Sequence, residues 1–169
     1  MLEYPICEIC LKTGILCSGC EEKLAKGEIT RLEVELATIL YRLEKKHKTL
    51  SEINRVKTLE ENDLVVLITE EGKAGVLIGK GGKIAKIISK KLKRKIRVVE
   101  DTKDYRRIAQ DLLAPARVIG VNIVYPPNES SKFKVLVAKQ DITKLPASIT
   151  TLERLLAKLL GKEVVVAPI

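Results

Sequence analysis

Aromatic residues are scarce in this chain, and their scarcity limits how it can recognise a ligand. Phe, Tyr and Trp together make up 3% of the 169 residues, and tryptophan is absent. Nucleic-acid-binding modules of the RRM and OB types stack bases on aromatic side chains. Those two modules are therefore excluded, and any contact of that kind would have to use backbone, aliphatic surface and lysine.

Residues that catalysis commonly uses are also few. The single histidine, His47, lies in the charged segment Glu44-Lys45-Lys46-His47-Lys48, a position that favours an exposed helix end over a general base. No pair of carboxylates and no nucleophile with an associated base is apparent. The sequence therefore predicts a protein that is not an enzyme and has no small-molecule substrate.

Long apolar runs are absent as well. No stretch approaches the ~18 apolar residues of a membrane span, and Met1-Leu2-Glu3-Tyr4-Pro5 lacks the basic region and apolar run of a signal peptide. The hydrophobic content of 46% is nevertheless sufficient for folded cores. We therefore expect a folded protein of the cytoplasm without membrane contact, in a compartment where thiols stay reduced.

Positive charge is concentrated in one part of the chain. The formal net charge is +9, of which residues 71–100 carry +8, with 10 basic and 2 acidic side chains. Residues 1–70 carry −3 and residues 101–169 carry +4. Such clustering suits a polyanion, because each neutralised phosphate releases condensed counterions. A solvated lysine face without a ligand would look the same in composition alone.

All four cysteines fall within the first 20 residues, as Cys7-x-x-Cys10 and Cys17-x-x-Cys20. Each pair has the spacing that chelates one ion in a tight turn, and the six-residue connection permits tetrahedral closure. Iron or a redox dithiol are alternatives, and two disulfides do not suit a reducing compartment. We expect Zn²⁺ as the cofactor, held by four thiolates that leave no position open for catalysis.

The rest of the chain contains one pattern of elements twice. An apolar stripe through residues 27–47 predicts a helix, with Thr30 and Glu33 as a capping box, and residues 63–69 predict a buried strand. A helix from Lys83 to Leu92 and a strand from Lys95 to Glu100 follow. Residues 102–169 repeat the order, which predicts an α+β protein with a finger at 1–27 and two similar domains at 28–101 and 102–169.

A glycine loop precedes the lysine-rich helix of the first domain. Gly79-Lys80-Gly81-Gly82 lets the backbone approach a sugar–phosphate chain closely, and the next helix presents its N-terminal amides to phosphate. An apolar turn, Gly-x-x-Gly and a basic amphipathic helix are the signature of a KH domain, whose loop clamps about four nucleotides. We therefore expect single-stranded RNA to be bound by Ile78, Gly79, Lys80, Gly81, Gly82, Lys83, Lys86 and Lys90.

Two other phosphate-binding motifs fit this loop less well. A P-loop would need glycine at Ala74 and Ser or Thr at Gly81, and a dinucleotide fingerprint would need glycine at Ile84. For the KH interpretation, the backbone of the strand at 64–69 is expected to read base edges. Candidate groove-lining side chains, some of which must belong to the core, are Val65, Leu67, Ile78, Ile84, Ala85 and Ile88.

The second domain has lost this loop. Its counterpart falls near Ala147-Ser148-Ile149-Thr150, which contains no glycine, and no basic residue occurs between Lys144 and Arg154. A structural brace is therefore expected here, with Arg106-Arg107 or the sheet edge as a weaker candidate for extending an RNA path or contacting protein.

Two segments resemble a known family. Gly75 to Ile84 followed by Ile96 to Asp101 resembles the first KH domain of NusA-type proteins, and Ile108 to Val118 resembles the junction into their second KH domain. With the four-cysteine finger, the chain is similar to archaeal NusA-like proteins that carry a zinc finger and tandem KH domains of the prokaryotic type (type II).

The resemblance implies RNA binding during transcription elongation or termination, with RNA polymerase as a partner. Bacterial NusA, however, has a polymerase-binding N-terminal domain and a small-barrel RNA module, and neither matches this chain. The alternative is a protein associated with the small ribosomal subunit or ribosomal RNA, because KH folds of this type also occur in small-subunit ribosomal proteins.

Overall fold

The computed structural model describes residues 1–169. The helices are α1 (Glu8–Thr13), α2 (Ser18–Ala25), α3 (Arg31–Lys46), α4 (Ala74–Ile78), α5 (Lys83–Leu92), α6 (Tyr105–Leu113) and α7 (Ile149–Leu160). The strands are β1 (Lys57–Glu61), β2 (Leu64–Glu70), β3 (Lys95–Asp101), β4 (Val118–Val124), β5 (Lys132–Val137) and β6 (Val164–Pro168). The predicted α+β class is confirmed.

Two three-stranded sheets share one topology. In the first sheet β2 is the middle strand, antiparallel to β1 and parallel to β3. In the second sheet β5 is the middle strand, antiparallel to β4 and parallel to β6. The parallel pair needs a crossover connection, which α4 and α5 supply in the first sheet and α7 supplies in the second. The sheets therefore repeat the order of elements that the sequence predicts.

The middle position of β2 corrects one prediction. Because β2 is paired on both sides, its backbone is used within the sheet and cannot read base edges, as was expected for residues 64–69. The four residues from Leu64 to Leu67 are all buried, as in strands that are covered on both faces. The open edge of the sheet belongs to β3 instead, and it lies next to the helical hairpin that α4, the glycine loop and α5 form.

Three cores hold the molecule together. One lies between the first sheet and α3, α4 and α5, and includes Val65, Leu67 and Val98. The opposite face of that sheet, with Leu64, Val66 and Val99, packs into a larger core that also contains α6, α7 and the second sheet. The first sheet is therefore covered on both faces, and α6 joins the two repeated units.

The cysteine-rich segment is attached to α3 rather than detached from it. Cys10, Cys20, Ile29 and Ala37 are buried in one small core, and the Tyr4 and Tyr41 rings meet edge to face with centroids 5.8 Å apart. α3 begins where the capping pattern predicts, because the Thr30 hydroxyl accepts a hydrogen bond from the Glu33 N–H at 3.1 Å.

None of the seven helices combines the length and the apolar character that crossing a membrane requires.

Candidate nucleic-acid interface and metal centre

The four cysteine side chains come together at the N-terminal end of the molecule. All four Sγ atoms lie within 4.8 Å of one another, with Cys7 to Cys10 at 3.4 Å and Cys7 to Cys17 at 3.9 Å. A tetrahedral ion with metal–sulfur bonds of ~2.3 Å would separate its ligands by ~3.8 Å. The separations therefore fit one metal ion bound by four thiolates.

Backbone amides favour the thiolate form of three of these ligands, Cys7, Cys10 and Cys17. Cys17 N–H donates to Cys10 Sγ at 3.1 Å, and Cys20 N–H donates to Cys17 Sγ at 3.5 Å. The Cys20 N–H lowers the pKa of the Cys17 thiol to about 7. The Cys17 N–H acts on Cys10 in the same direction, but burial and the neighbouring sulfurs outweigh it and raise the pKa of Cys10 to about 12.

The closeness of the four sulfur atoms determines which ligand suits the cluster. Four thiolates this close repel one another, so the protein alone does not hold all of them ionised. A divalent cation supplies the missing positive charge and binds deprotonated thiols. The cluster is able to hold a metal ion, and all four positions of a tetrahedral ion would be filled by sulfur.

The glycine loop has a backbone that only glycine adopts easily. Gly79, Gly81 and Gly82 have φ angles of +79°, +64° and +76°. A Cβ on Gly79 would lie 2.8 Å from Ile84 Cγ1 and 3.0 Å from the Ile84 amide nitrogen. A Cβ on Gly81 would meet nothing within 4 Å. The first glycine of the loop is therefore needed for packing, whereas Gly81 leaves open space above the backbone.

Four lysines form a stripe beside this loop. Lys83, Lys86 and Lys90 are spaced by three and four residues on α5, so they share one face, and Lys80 precedes them in the loop. All four are exposed, and none makes an ion pair, although twelve other ion pairs occur in the protein. Their charge is therefore available to a ligand.

The helix that carries the lysines begins without a cap. Gly82, at the N-cap of α5, offers no side-chain acceptor, and the first turn contains no acidic residue. The Gly82 and Lys83 N–H groups donate to the carbonyl oxygens of Gly79 and Lys80, so the helix dipole is what favours an anion at this end. The opposite face of the helix is anchored in the core by Ile84 and Ile88, which fixes the direction of the lysine stripe.

A groove of about 620 Å³ runs between the helical hairpin and β3. Ile78, Gly82, Ala85 and Lys86 lie on the helical side. The other side is formed by Ile96, Arg97 and Val98 of β3 and by part of α6. Because β3 is an edge strand, its outer backbone N–H and C=O groups face this groove without partners in the sheet.

The structure separates the residues that were expected to line the groove. Ile78 and Ala85 line it. The other four, Val65, Leu67, Ile84 and Ile88, are at most 4% exposed and belong to the core. Packing against α3 keeps these four side chains out of the groove. No local sequence pattern predicts this packing.

The end of the groove towards the second repeated unit is polar, and two of its charged side chains form an ion pair with one another. Arg107 of α6 places its Nη2 2.7 Å from Glu100 Oε2, and the other oxygen of Glu100 accepts from the Ala74 N–H at 3.2 Å. Asp111 lies beside them, and burial raises the pKa of its carboxyl. Arg107 is therefore committed to Glu100 and holds α6 against the first unit.

The second unit has no comparable cradle. Ser148 caps α7 by accepting from the Thr151 N–H at 3.2 Å, and a short 3-10 helix at Lys139–Lys144 takes the place of a glycine hairpin. Arg106 is exposed and lines a separate hollow of about 390 Å³ with Arg117. The structure therefore does not bring Arg106 into the groove with the lysine stripe.

Sequence reasoning missed Arg97 and the β3 edge. The available signal was the alternation of charged and apolar residues in Lys95-Ile96-Arg97-Val98, because charged residues mark edge strands. The uninterrupted apolar run at 64–68 marks a middle strand by the same reasoning.

Comparison with known proteins gives a likeness of fold. No family model and no curated protein matches the chain. Among solved structures, the chain is similar to APE1850, known from its crystal structure, with 27% identity and a TM-score of 0.52. The match covers 75% of this chain and 96% of that chain.

Proposed function

We propose that this protein binds single-stranded RNA through the glycine loop, the lysine stripe and the β3 groove of its first repeated unit. In this proposal residues 28–101 form a KH domain of the prokaryotic type. Residues 102–169 form a second KH domain without a phosphate cradle, and the whole is a NusA-like protein.

One observation carries the proposal. Four exposed lysines without acidic partners run from the glycine loop along one face of α5, whose N-terminus is uncapped: Lys80, Lys83, Lys86 and Lys90. Next to them is a groove that ends on an unpaired strand edge. Phosphates on the lysine side would leave the bases directed towards the apolar and backbone groups of the groove. A lysine face without a ligand would not need this groove or three glycines of positive φ.

We also propose that the ion of the four-cysteine cluster is Zn²⁺ and that it is structural. Four thiolates in tetrahedral geometry are the ligand set that structural zinc sites use, and no coordination position remains for a substrate. Cys7, Cys10, Cys17 and Cys20 would hold the ion and fix the finger on α3.

Fluorescence anisotropy of short single-stranded RNA across a salt series tests the RNA proposal. The variant Lys80→Asp/Gly81→Asp places two carboxylates where phosphate is expected. Gly81 suits this change because a Cβ there meets nothing within 4 Å, and Asp is among the residues that tolerate positive φ. We expect a large loss of affinity and a shallower salt dependence, because fewer phosphates are neutralised.

The matched control is Lys26→Asp/Gly27→Asp. It makes the same change of charge in the same Lys-Gly order, at a glycine of φ +76° that also has open space, but it lies outside the groove. Circular dichroism should show native secondary structure in both variants. Unchanged binding by the loop variant, or an equal loss in both variants, would contradict the proposal and indicate a diffuse electrostatic contact.

A further inference from the structure

Arg97 is a cation without a partner inside the candidate interface. Its Nε is buried and makes no hydrogen bond, and it forms no ion pair. Burial lowers the pKa of the guanidinium, with no contribution from a nearby carboxylate. Arg94 and Arg107, by contrast, pair with Glu60 and Glu100. A half-buried guanidinium whose N–H donors make no hydrogen bond lowers the stability of the protein. A ligand that accepts hydrogen bonds from these N–H groups would remove that cost.

The position of Arg97 indicates what kind of ligand would do so. Arg97 lies on β3 and lines the same groove as Gly82 and Lys86 of the helical side and Asp111 and Ala114 at the α6 side. The lysine stripe and the N-terminus of α5 lie on the far side of the groove, so the positive charge that a phosphate backbone needs is already present there. What reaches β3 from such a backbone is a base, and the free strand edge beside Arg97 offers further hydrogen-bonding groups.

We propose that Arg97 is a specificity-determining residue that reads a base with two adjacent acceptors on one edge. This inference depends on the proposed function of the groove. A guanidinium presents parallel N–H donors in a fixed fork. Cytosine offers N3 and O2 to such a fork, and guanine offers O6 and N7. Adenine and uracil alternate donors and acceptors along their polar edges and cannot satisfy both N–H groups.

The test uses U-rich single-stranded RNA decamers that carry one cytosine, guanine or adenine in the middle. For the wild type we expect the cytosine or the guanine decamer to bind roughly 5- to 150-fold more tightly than the other guests, the discrimination of one bidentate contact. The two decamers distinguish the pyrimidine edge from the purine edge. Adenine and all-uracil decamers should bind alike.

Two substitutions of Arg97 separate the effect of its paired N–H donors from the effect of its positive charge. Arg97→Met should abolish the preference while keeping the affinity for the all-uracil decamer within about 2-fold. Arg97→Lys keeps the charge but loses the fork, so it should also lose most of the preference. Lys95→Met removes the same charge from an exposed position of the same strand and should keep the preference. Circular dichroism and thermal unfolding verify that each variant is folded.

The outcomes separate this inference from the proposed function. Wild-type protein that binds none of the decamers would overturn both. RNA binding without a preference, or a preference that survives in Arg97→Met, would overturn the role of Arg97 alone. An equal loss for all decamers in Arg97→Met, with a shallower salt dependence, would make Arg97 a phosphate contact and would likewise overturn it.

Discussion

Two glycines of the same loop differ in what surrounds them. Gly79 has φ +79° and ψ 169°, a region that is almost exclusive to glycine, and Ile84 leaves no room for a side chain. Gly81 has φ +64° and ψ 19°, in the left-handed region that other residues visit at moderate cost. Sequence shows two equivalent glycines, whereas their roles in packing are distinct.

Alanine at each position should separate these roles. We expect Gly79→Ala to lower the free energy of unfolding by about 3 kcal/mol or more, from backbone strain together with overlap with Ile84. Gly81→Ala should lower it by about 1 kcal/mol from φ alone. Urea denaturation followed by circular dichroism measures both. Equal losses, or a larger loss for Gly81→Ala, would contradict this account of the loop.

Asp141 predicts how stability depends on acid pH. This 1% exposed carboxylate accepts from the Arg117 side chain at 2.9 Å and from the Arg117 N–H at 3.0 Å. These hydrogen bonds lower the pKa of Asp141 to about 2. Because the folded-state pKa lies below the usual ~3.9, the stabilisation is complete above that value and is lost as pH falls towards 2.

The variant Asp141→Asn isolates this effect. The difference in unfolding free energy between the wild type and Asp141→Asn should be constant above about pH 5 and should shrink as pH falls to about 2. Denaturant unfolding at closely spaced pH values measures this difference, and Asp101→Asn, which removes an exposed carboxylate, is the control variant. A difference that stays constant down to pH 2 would show that the ion pair does not act in this way.

Arg97 shows where residue-level reading of the sequence ends. The cysteine spacing and the glycine loop are local patterns, and local chemistry fixes what each can do. Whether a strand is in the middle or at the edge depends on pairing between distant segments, such as Val66 with Arg97. A buried unpartnered side chain becomes visible only after that pairing is known.

At the scale of elements, we expect the helices of the finger to depend on the proposed metal ion. α1 has 6 residues and α2 has 8, well below the ~12–15 residues at which isolated helices become marginally stable in water. Its core contains six buried residues, with five partly buried apolar side chains packed around them. Because this core is so small, we expect the proposed metal ion to be the main source of stability of the finger.

Removal of the metal by a chelator should therefore unfold residues 6–25 and leave the two sheets intact. Amide hydrogen exchange should show lost protection in α1 and α2 with unchanged protection in β2 and β5. Cys17→Ser should have the same effect, whereas Ser18→Ala, a change beside a ligand, should not. Protein purified without chelator that contains no zinc, or a finger that stays protected after chelation, would contradict the proposed site.

The helices and strands themselves were predictable because their patterns are short-range. The stripe of α3 and the apolar face of α5 appear in the sequence as Leu32, Leu36, Leu40 and Leu43, and as Ile84, Ile88 and Leu92. Tyr105 lies three residues before Ile108 and so shares its side of α6, yet Tyr105 is 43% exposed, with its ring centroid 4.9 Å from that of Phe133. Because Tyr105 is the first residue of α6, one side of its ring has no neighbouring side chain.

At the scale of the whole molecule, the two repeated units do not have separate cores. Leu64, Val66 and Val99 of the first sheet share a core with Phe133 and Val135 of the second. The core is filled between the sheets by α6 and α7, and Glu61 adds ion pairs to Arg154 and Lys158 across the boundary. The β3 groove uses α6 as part of its wall, so its shape depends on this shared core.

The two units should therefore unfold as one. Leu112, on α6 and fully buried in the shared core, is the residue to test. Leu112→Ala should lower the opening free energy of amides in both β2 and β5 by similar amounts, about 2–5 kcal/mol. Ile15→Ala, at a side chain that is 73% exposed, should change neither. Native-state hydrogen exchange resolves the two strands separately. A loss confined to β5 would mean that the first unit keeps its own stability, and that the groove does not need the second unit to hold its shape.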